Sequence, residues 1–224
     1  MSGTLSLVPG LGQAVNGNPF EGLAWFGSVA GLYLSGNSNL AQVGWDLWMY
    51  NMYDAYRDGG ASGSGKTTSH SLASNYVANY NPANALDPIG APVVGFGAWS
   101  GSSRGYTGLR SPTKIVTYSF VGLGEEALFR GFLFPAFSNL LFDSAIAGAV
   151  TSSAVFAYVH ATGGSANLAP GVLAQRFVFG MLFSWQMHRN RYDMRRGVFA
   201  HTWYDILVDQ EAGEIQGMSI KIPF

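Results

Sequence analysis

Apolar positions gather into helix-length runs over the second half of the chain. Predominantly apolar segments near 114–142, 144–161, 168–188 and 197–209 are joined by short connections, which predicts a set of packed helices. The first half reads differently. Residues 5–35 alternate apolar runs with Pro-Gly and Asn-Gly turn signals (LSLVPGLGQ, NGNP, FEGLAWFGSVAGLYL), which predicts two apolar segments joined by a turn. The first of these falls short of the roughly 20 residues a helix needs to span a bilayer, so it is expected to be re-entrant or tilted against the second. Residues 40–57 (LAQVGWDLWMYNMYDAYR) are rich in Trp and Tyr and end on Arg57, the composition of an interfacial helix.

Between these halves lies a stretch of different character. Residues 58–87 are rich in Gly, Ser, Asn and Ala with few aliphatics, 88–99 (PIGAPVVGFGAW) are a short apolar segment, and 100–113 are polar. The pattern divides the chain into an N-terminal hairpin and interfacial helix at 1–57, a flexible linker with a short apolar segment at 58–113, a helical core at 114–209 and a tail at 210–224. Composition turns this outline into a membrane expectation. Charged residues are 11% of the 224, against about 25% in soluble domains, aromatics are 14%, and there are 30 glycines, which let helices approach closely. The expected fold class is therefore all-α, a polytopic transmembrane helical bundle with an N-terminal membrane hairpin, set in the bacterial inner membrane in contact with the lipid bilayer. The mean hydropathy of +0.14 is modest for that class, so the expectation rests on the local runs. A net charge of −1 gives no electrostatic footprint for nucleic acid. The absence of Cys excludes disulfide and thiolate chemistry. No basic n-region follows Met1, and no signal-cleavage pattern is evident. Four arginines in 189–196 (RNRYDMRR) mark a cytoplasmic loop, yet 104–114 is also basic, and three crossings between the two would set them on opposite faces.

Against this apolar background the charged positions stand out. Glu125, Glu126 and Arg130 interrupt a stretch whose flanks, 115–124 and 131–142, carry no charged residue. A carboxylate in such a setting is costly unless it is paired or used. On a helix Glu126 and Arg130 share a face in the favourable order for an ion pair, while Glu125 is rotated by roughly 100°. That geometry nominates Glu125 as the working carboxylate and Glu126–Arg130 as its scaffold. His160 is the sole histidine or charged residue between 144 and 175, with Phe156 one turn earlier; taken alone it reads as a satisfied core residue. His201 and Asp205, again four apart, suit an oriented imidazole–carboxylate pair, two metal ligands, or an intrahelical hydrogen bond. His70 and His188 carry no expected role. Residues Gly60–Thr67 (GASGSGKT) match the phosphate-loop pattern but lack a preceding strand and a following helix, so they read as a Gly/Ser-rich loop that does not bind nucleotide.

Taken together, E-E-x-x-x-R, F-x-x-x-H and H-x-x-x-D on successive apolar helices resemble the motifs of the CAAX-protease and bacteriocin-processing family (CPBP, Abi) of intramembrane endopeptidases, which includes the Rce1-type enzymes. The resemblance covers about residues 114–209. It implies hydrolysis of a peptide bond in a membrane-associated protein or peptide. Glu125 and His160 would activate water, and His201 and Asp205 would stabilise the oxyanion or bind metal. Family members have been described both as metalloproteases and as metal-free glutamate enzymes. A divalent ion such as zinc would take Glu125, His160 and His201 and, as a further ligand, Asp205. The last motif position is often Asn in the family; an ionised Asp205 cannot donate to an oxyanion, which tilts the expectation toward metal. Two other functions fit the same residues: a non-catalytic membrane scaffold or immunity-type protein, and a proton-coupled carrier using Glu125.

Overall fold

The computed structural model describes residues 2–60, 70–103, 111–161 and 169–208. Among these the chain is all-helical. Short helices α1 (Ser2–Leu5) and α2 (Leu11–Val15) lead into α3 (Pro19–Tyr33) and α4 (Ser38–Asp58). Helix α5 (Leu72–Val77) and two 3₁₀ turns (Ala78–Tyr80, Pro82–Leu86) precede α6 (Gly90–Ser103). Helix α7 (Pro112–Glu125) passes without a break into a π-helical stretch (Glu126–Leu133) and then α8 (Phe134–Leu140). Helices α9 (Ala145–Ala161), α10 (Pro170–Arg189) and α11 (Arg195–Val208) complete the core, so all four predicted apolar segments are helical.

Local chemistry sets the starts of these helices. Ser111 accepts from Lys114 N and Ser144 from Ala147 N, each satisfying a backbone donor that the helix leaves unpaired. Proline at the first turn of α7 and of α10 presets the backbone where no amide donor is needed. Asp87 Oδ1 caps α6 through Ile89 N and Gly90 N, and the same side chain takes Gln186 Nε2 at 2.7 Å and Arg196 Nη1 at 3.0 Å. Burial would raise the Asp87 carboxyl; the donors from Gly90, Gln186, Arg196 and Ile89 outweigh it and hold the group below its ordinary range.

Two expectations change. The stretch 58–113 reads in the sequence as a flexible linker, but its described residues 70–103 are largely helical, and α6 packs along α11. Here the small residues that suggest disorder serve close packing: Gly97 abuts the backbone of Tyr204. Helix α4 reads as an interfacial helix. It is instead a central element, with an unbroken buried run from Met49 to Ala55, wedged against α3 and α7. Its Trp and Tyr rings are core: Tyr50 and Tyr53 join the main apolar cluster with Leu123 and Phe134, while Trp45 and Met49 pack with Phe129 and Phe156. Among the described residues no helix is long and apolar enough to cross a membrane. The nucleotide-loop match falls at Gly60–Thr67; Gly60 follows α4 with φ 101°, and 61–67 lie outside the described residues, as does the tail 210–224.

The α4–α7 contact depends on a single glycine. A Cβ placed on Gly124 would lie 2.5 Å from the Asp46 carbonyl oxygen and 2.7 Å from its Cα, so any side chain there pushes α4 away. Gly27 on α3 has nothing within 4 Å of its Cβ position. Thermal unfolding separates the two: Gly124→Ala is expected to lose about 1–3 kcal/mol by overpacking, while Gly27→Ala holds or gains up to about 1 kcal/mol from helix propensity.

Candidate active site

Four helical segments bring the motif residues to one place. Glu125 is the last residue of α7, and Glu126 and Arg130 lie on the π-helical stretch that follows. His160 is near the end of α9, and His201 and Asp205 are one turn apart on α11. π-helical turns are uncommon and tend to occur where a helix must re-aim side chains.

Glu126 is the junction. Its Oε1 lies 3.3 Å from Arg130 Nη1 and 2.8 Å from His201 Nδ1, all three residues being buried. Because an ionised carboxylate only accepts, His201 Nδ1 must donate, which fixes the imidazole orientation and leaves Nε2 facing the site. The backbone of α11 admits this contact at Gly197, where a Cβ would come within 2.9 Å of Glu126 Oε2. Spacing along the chain predicts the Glu126–Arg130 pairing. It does not reveal the Glu126–His201 bond, which joins residues 75 positions apart.

Arg130 is 1% exposed, and neither terminal guanidinium nitrogen makes a well-directed hydrogen bond among the described residues. Aromatic faces surround it instead: its Cζ lies 4.3 Å from the ring centre of Phe156, 5.3 Å from Phe183 and 5.8 Å from Phe129. A desolvated guanidinium over rings gains about 2 kcal/mol or more from the ring quadrupole. Phe156 also supports both histidines, at 4.3 Å from His160 and 6.1 Å from His201 between ring centres. Phe183, which the sequence pattern does not single out, stacks on His201 at 5.4 Å with 12° between planes.

Glu125 is buried, and its Oε2 lies 3.3 Å from His160 Nε2 and 3.5 Å from His201 Nε2. His160 Nδ1 is 2.8 Å from the Phe156 carbonyl oxygen, an acceptor, so that nitrogen donates and Nε2 is turned to Glu125. Asp205 Oδ2 lies 3.5 Å from His201 Nε2. Three carboxylates thus surround one imidazole: Glu126 at Nδ1, Glu125 and Asp205 at Nε2.

The expected zinc ligands do not close around a point. A tetrahedral zinc with ligands at about 2.0–2.1 Å holds its donors roughly 3.5 Å apart. Glu125 pairs with each histidine at such a distance, but no three of Glu125, His160, His201 and Asp205 have their donor atoms within 4.8 Å of one another. His70 and His188 lie elsewhere, on Asp193 and Tyr192 respectively.

Removing the guanidinium would strand Glu126 in an apolar enclosure and leave a gap among three rings. Arg130→Ala is expected to lower stability by about 3–5 kcal/mol, read as a fall in folded yield and in the unfolding temperature.

No curated protein and no solved structure matches the chain. A family match, described as type II CAAX prenyl endopeptidase Rce1-like, covers residues 111–207. It begins at the Ser111 cap of α7 and ends within α11, so it contains every motif residue described above and excludes α1 to α6. Residues 111–207 of this chain are thus similar to the Rce1-like type II CAAX prenyl endopeptidases.

Proposed function

We propose that the chain is a membrane-embedded endopeptidase that hydrolyses a peptide bond of a membrane-associated protein or peptide, with Glu125 as the base. The observation that carries this reading is the buried Glu125 Oε2 approached by the Nε2 atoms of two histidines that are themselves oriented by other groups. A water seated beside Glu125 Oε2 and His160 Nε2 donates one proton to each acceptor, which turns an oxygen lone pair outward toward a scissile carbonyl. As the C–O bond forms, Glu125 takes the water proton. The oxyanion is stabilised by His201 Nε2–H, which the surrounding carboxylates of Glu125, Glu126 and Asp205 favour in the protonated form. Collapse of the tetrahedral intermediate breaks the C–N bond, and the leaving amine takes the proton back from Glu125. Asp205 acts in this scheme by keeping His201 protonated, so the acid at this position needs no metal to explain it.

Membrane embedding is supported by apolar side chains left on the outer faces of several helices: Phe20 and Leu23 on α3, Trp99 on α6, Ile146 and Tyr158 on α9, Trp185 on α10. Large apolar side chains exposed on four helices suit a lipid-facing surface, and short helices are accommodated by local thinning of the bilayer.

Quantitative proteomics of membrane peptides in the native host, comparing wild type with Glu125→Ala, is the direct test. Glu125→Ala, His160→Ala and His201→Ala are each expected to reduce cleavage by at least about 10²-fold while the protein still inserts and folds; normal turnover by Glu125→Ala would sink the assignment of the base. Exhaustive chelation followed by metal analysis provides a second check. Activity is expected to survive in protein shown to be metal-free, and its loss with recovery on adding one divalent ion would overturn the metal-free scheme.

A further inference from the structure

Asp46 lies outside the Rce1-like segment and outside every motif, yet it is built into the wall of the site. It sits on α4, 1% exposed, where Gly124 brings the α7 backbone against its own backbone and Cβ. The next residue of α7 is Glu125. Its neighbour Trp45 packs with Phe129 and Phe156, the rings that hold Arg130 and His160. Asp46 Oδ1 accepts from Gln42 Nε2 at 3.0 Å, whereas Oδ2 is fully shielded and has no hydrogen-bond partner among the described residues. Glu125 Oε2 is a second shielded oxygen without a well-directed hydrogen bond. Buried polar atoms of native proteins are almost always satisfied, by protein or by water, so two orphan oxygens on the adjoining helices α4 and α7 call for an explanation.

The charged groups that act on Asp46 are both acids, Glu125 and Asp205; its single donor is the neutral amide of Gln42. Glu125 by contrast faces His160 and His201 and lies within electrostatic reach of Arg130. Two carboxyls buried together cannot both ionise cheaply, and the proton settles on the one without cationic neighbours. We propose that Asp46 is a positioning residue of the active site, a neutral carboxyl whose Oδ2–H donates through a bridging buried water to the Glu125 carboxylate and holds it in place. This water satisfies Asp46 Oδ2 and gives the Glu125 carboxylate a second donor beside the water it shares with His160. No covalent step is involved, and Asp46 keeps its proton through the reaction.

This rests on the reading of Glu125 as the base, but one arm of the test is independent of it. Asp46→Asn and Asp46→Leu are near-isosteric: Asn keeps a neutral donor and Leu has none, and Gly124 constrains only the backbone and Cβ that all three side chains share. The infrared difference between wild type and Asp46→Asn, recorded on purified protein in proteoliposomes at neutral pH, is expected to show loss of a carboxylic C=O band. A difference spectrum with only carboxylate bands overturns the proposal. In native membranes with equal amounts of inserted protein, the Glu125-dependent cleavage products are expected to stay near wild-type levels in Asp46→Asn. In Asp46→Leu they should fall by about tenfold, the cost of one lost hydrogen bond at the reacting centre. Wild-type product levels in Asp46→Leu overturn the proposal, because they leave Asp46 a packing residue. Asp46→Asn as poor as Asp46→Leu overturns it also, because that outcome requires an ionised carboxylate. If the Asp46→Leu variant fails to insert, the infrared band and the Asp46→Asn variant decide. If wild type yields no Glu125-dependent product, the endopeptidase reading falls by itself, and the band alone decides whether Asp46 is a neutral carboxyl.

Discussion

The site is organised by one buried anion. Glu126 holds Arg130 within the same helical stretch and His201 on α11, so a single carboxylate fixes the spacing of two helices and the orientation of an imidazole. Taking that charge out of water costs several kcal/mol, offset by the hydrogen bond from His201 Nδ1 at 2.8 Å and by the Arg130 charge at 3.3 Å. Arg130 in turn is stabilised chiefly by aromatic faces, since its terminal nitrogens lack well-directed acceptors. The ring that lies closest to the guanidinium, Phe156, is also the residue whose carbonyl orients His160. Glu126, Arg130 and Phe156 therefore act as one unit that aims both histidines at Glu125.

Much of this was legible in the sequence because the relevant contacts are local. The four core helices follow from apolar runs and their short connections. Glu126–Arg130 and His201–Asp205 follow from four-residue spacing, and the separation of Glu125 from Glu126 follows from helical rotation. What was not legible is carried by contacts between distant positions. The Glu126–His201 bond, the stacking of Phe183 on His201 and the placement of Asp46 each need the packing of whole helices. The tyrosine-rich end of α4 misled for a related reason. Trp and Tyr are common at membrane interfaces and common in cores, and only packing partners separate the two. The Gly/Ser/Ala-rich stretch before α7 misled because the small residues that loosen a free chain also allow helices to touch.

The packing of α4 bears on how the Rce1-like segment forms a site. Taken alone, residues 111–207 would expose the face of α7 at Gly124 and the rings of Phe129, and would leave Glu125 open to water on that side. Helix α4 covers this face with Trp45, Asp46 and Met49, so the low-polarity enclosure in which a carboxylate and two imidazoles interact strongly is a joint product of the segment and the chain before it. An electrostatic site of this kind depends on its walls as much as on its reacting groups, because the same charges separated by the same distances interact far more weakly once water enters. The absence of a side chain at Gly124 is thus a condition for the chemistry: it lets α4 close over Glu125, and it brings with it a second carboxyl that must be accommodated as part of the same charge arrangement.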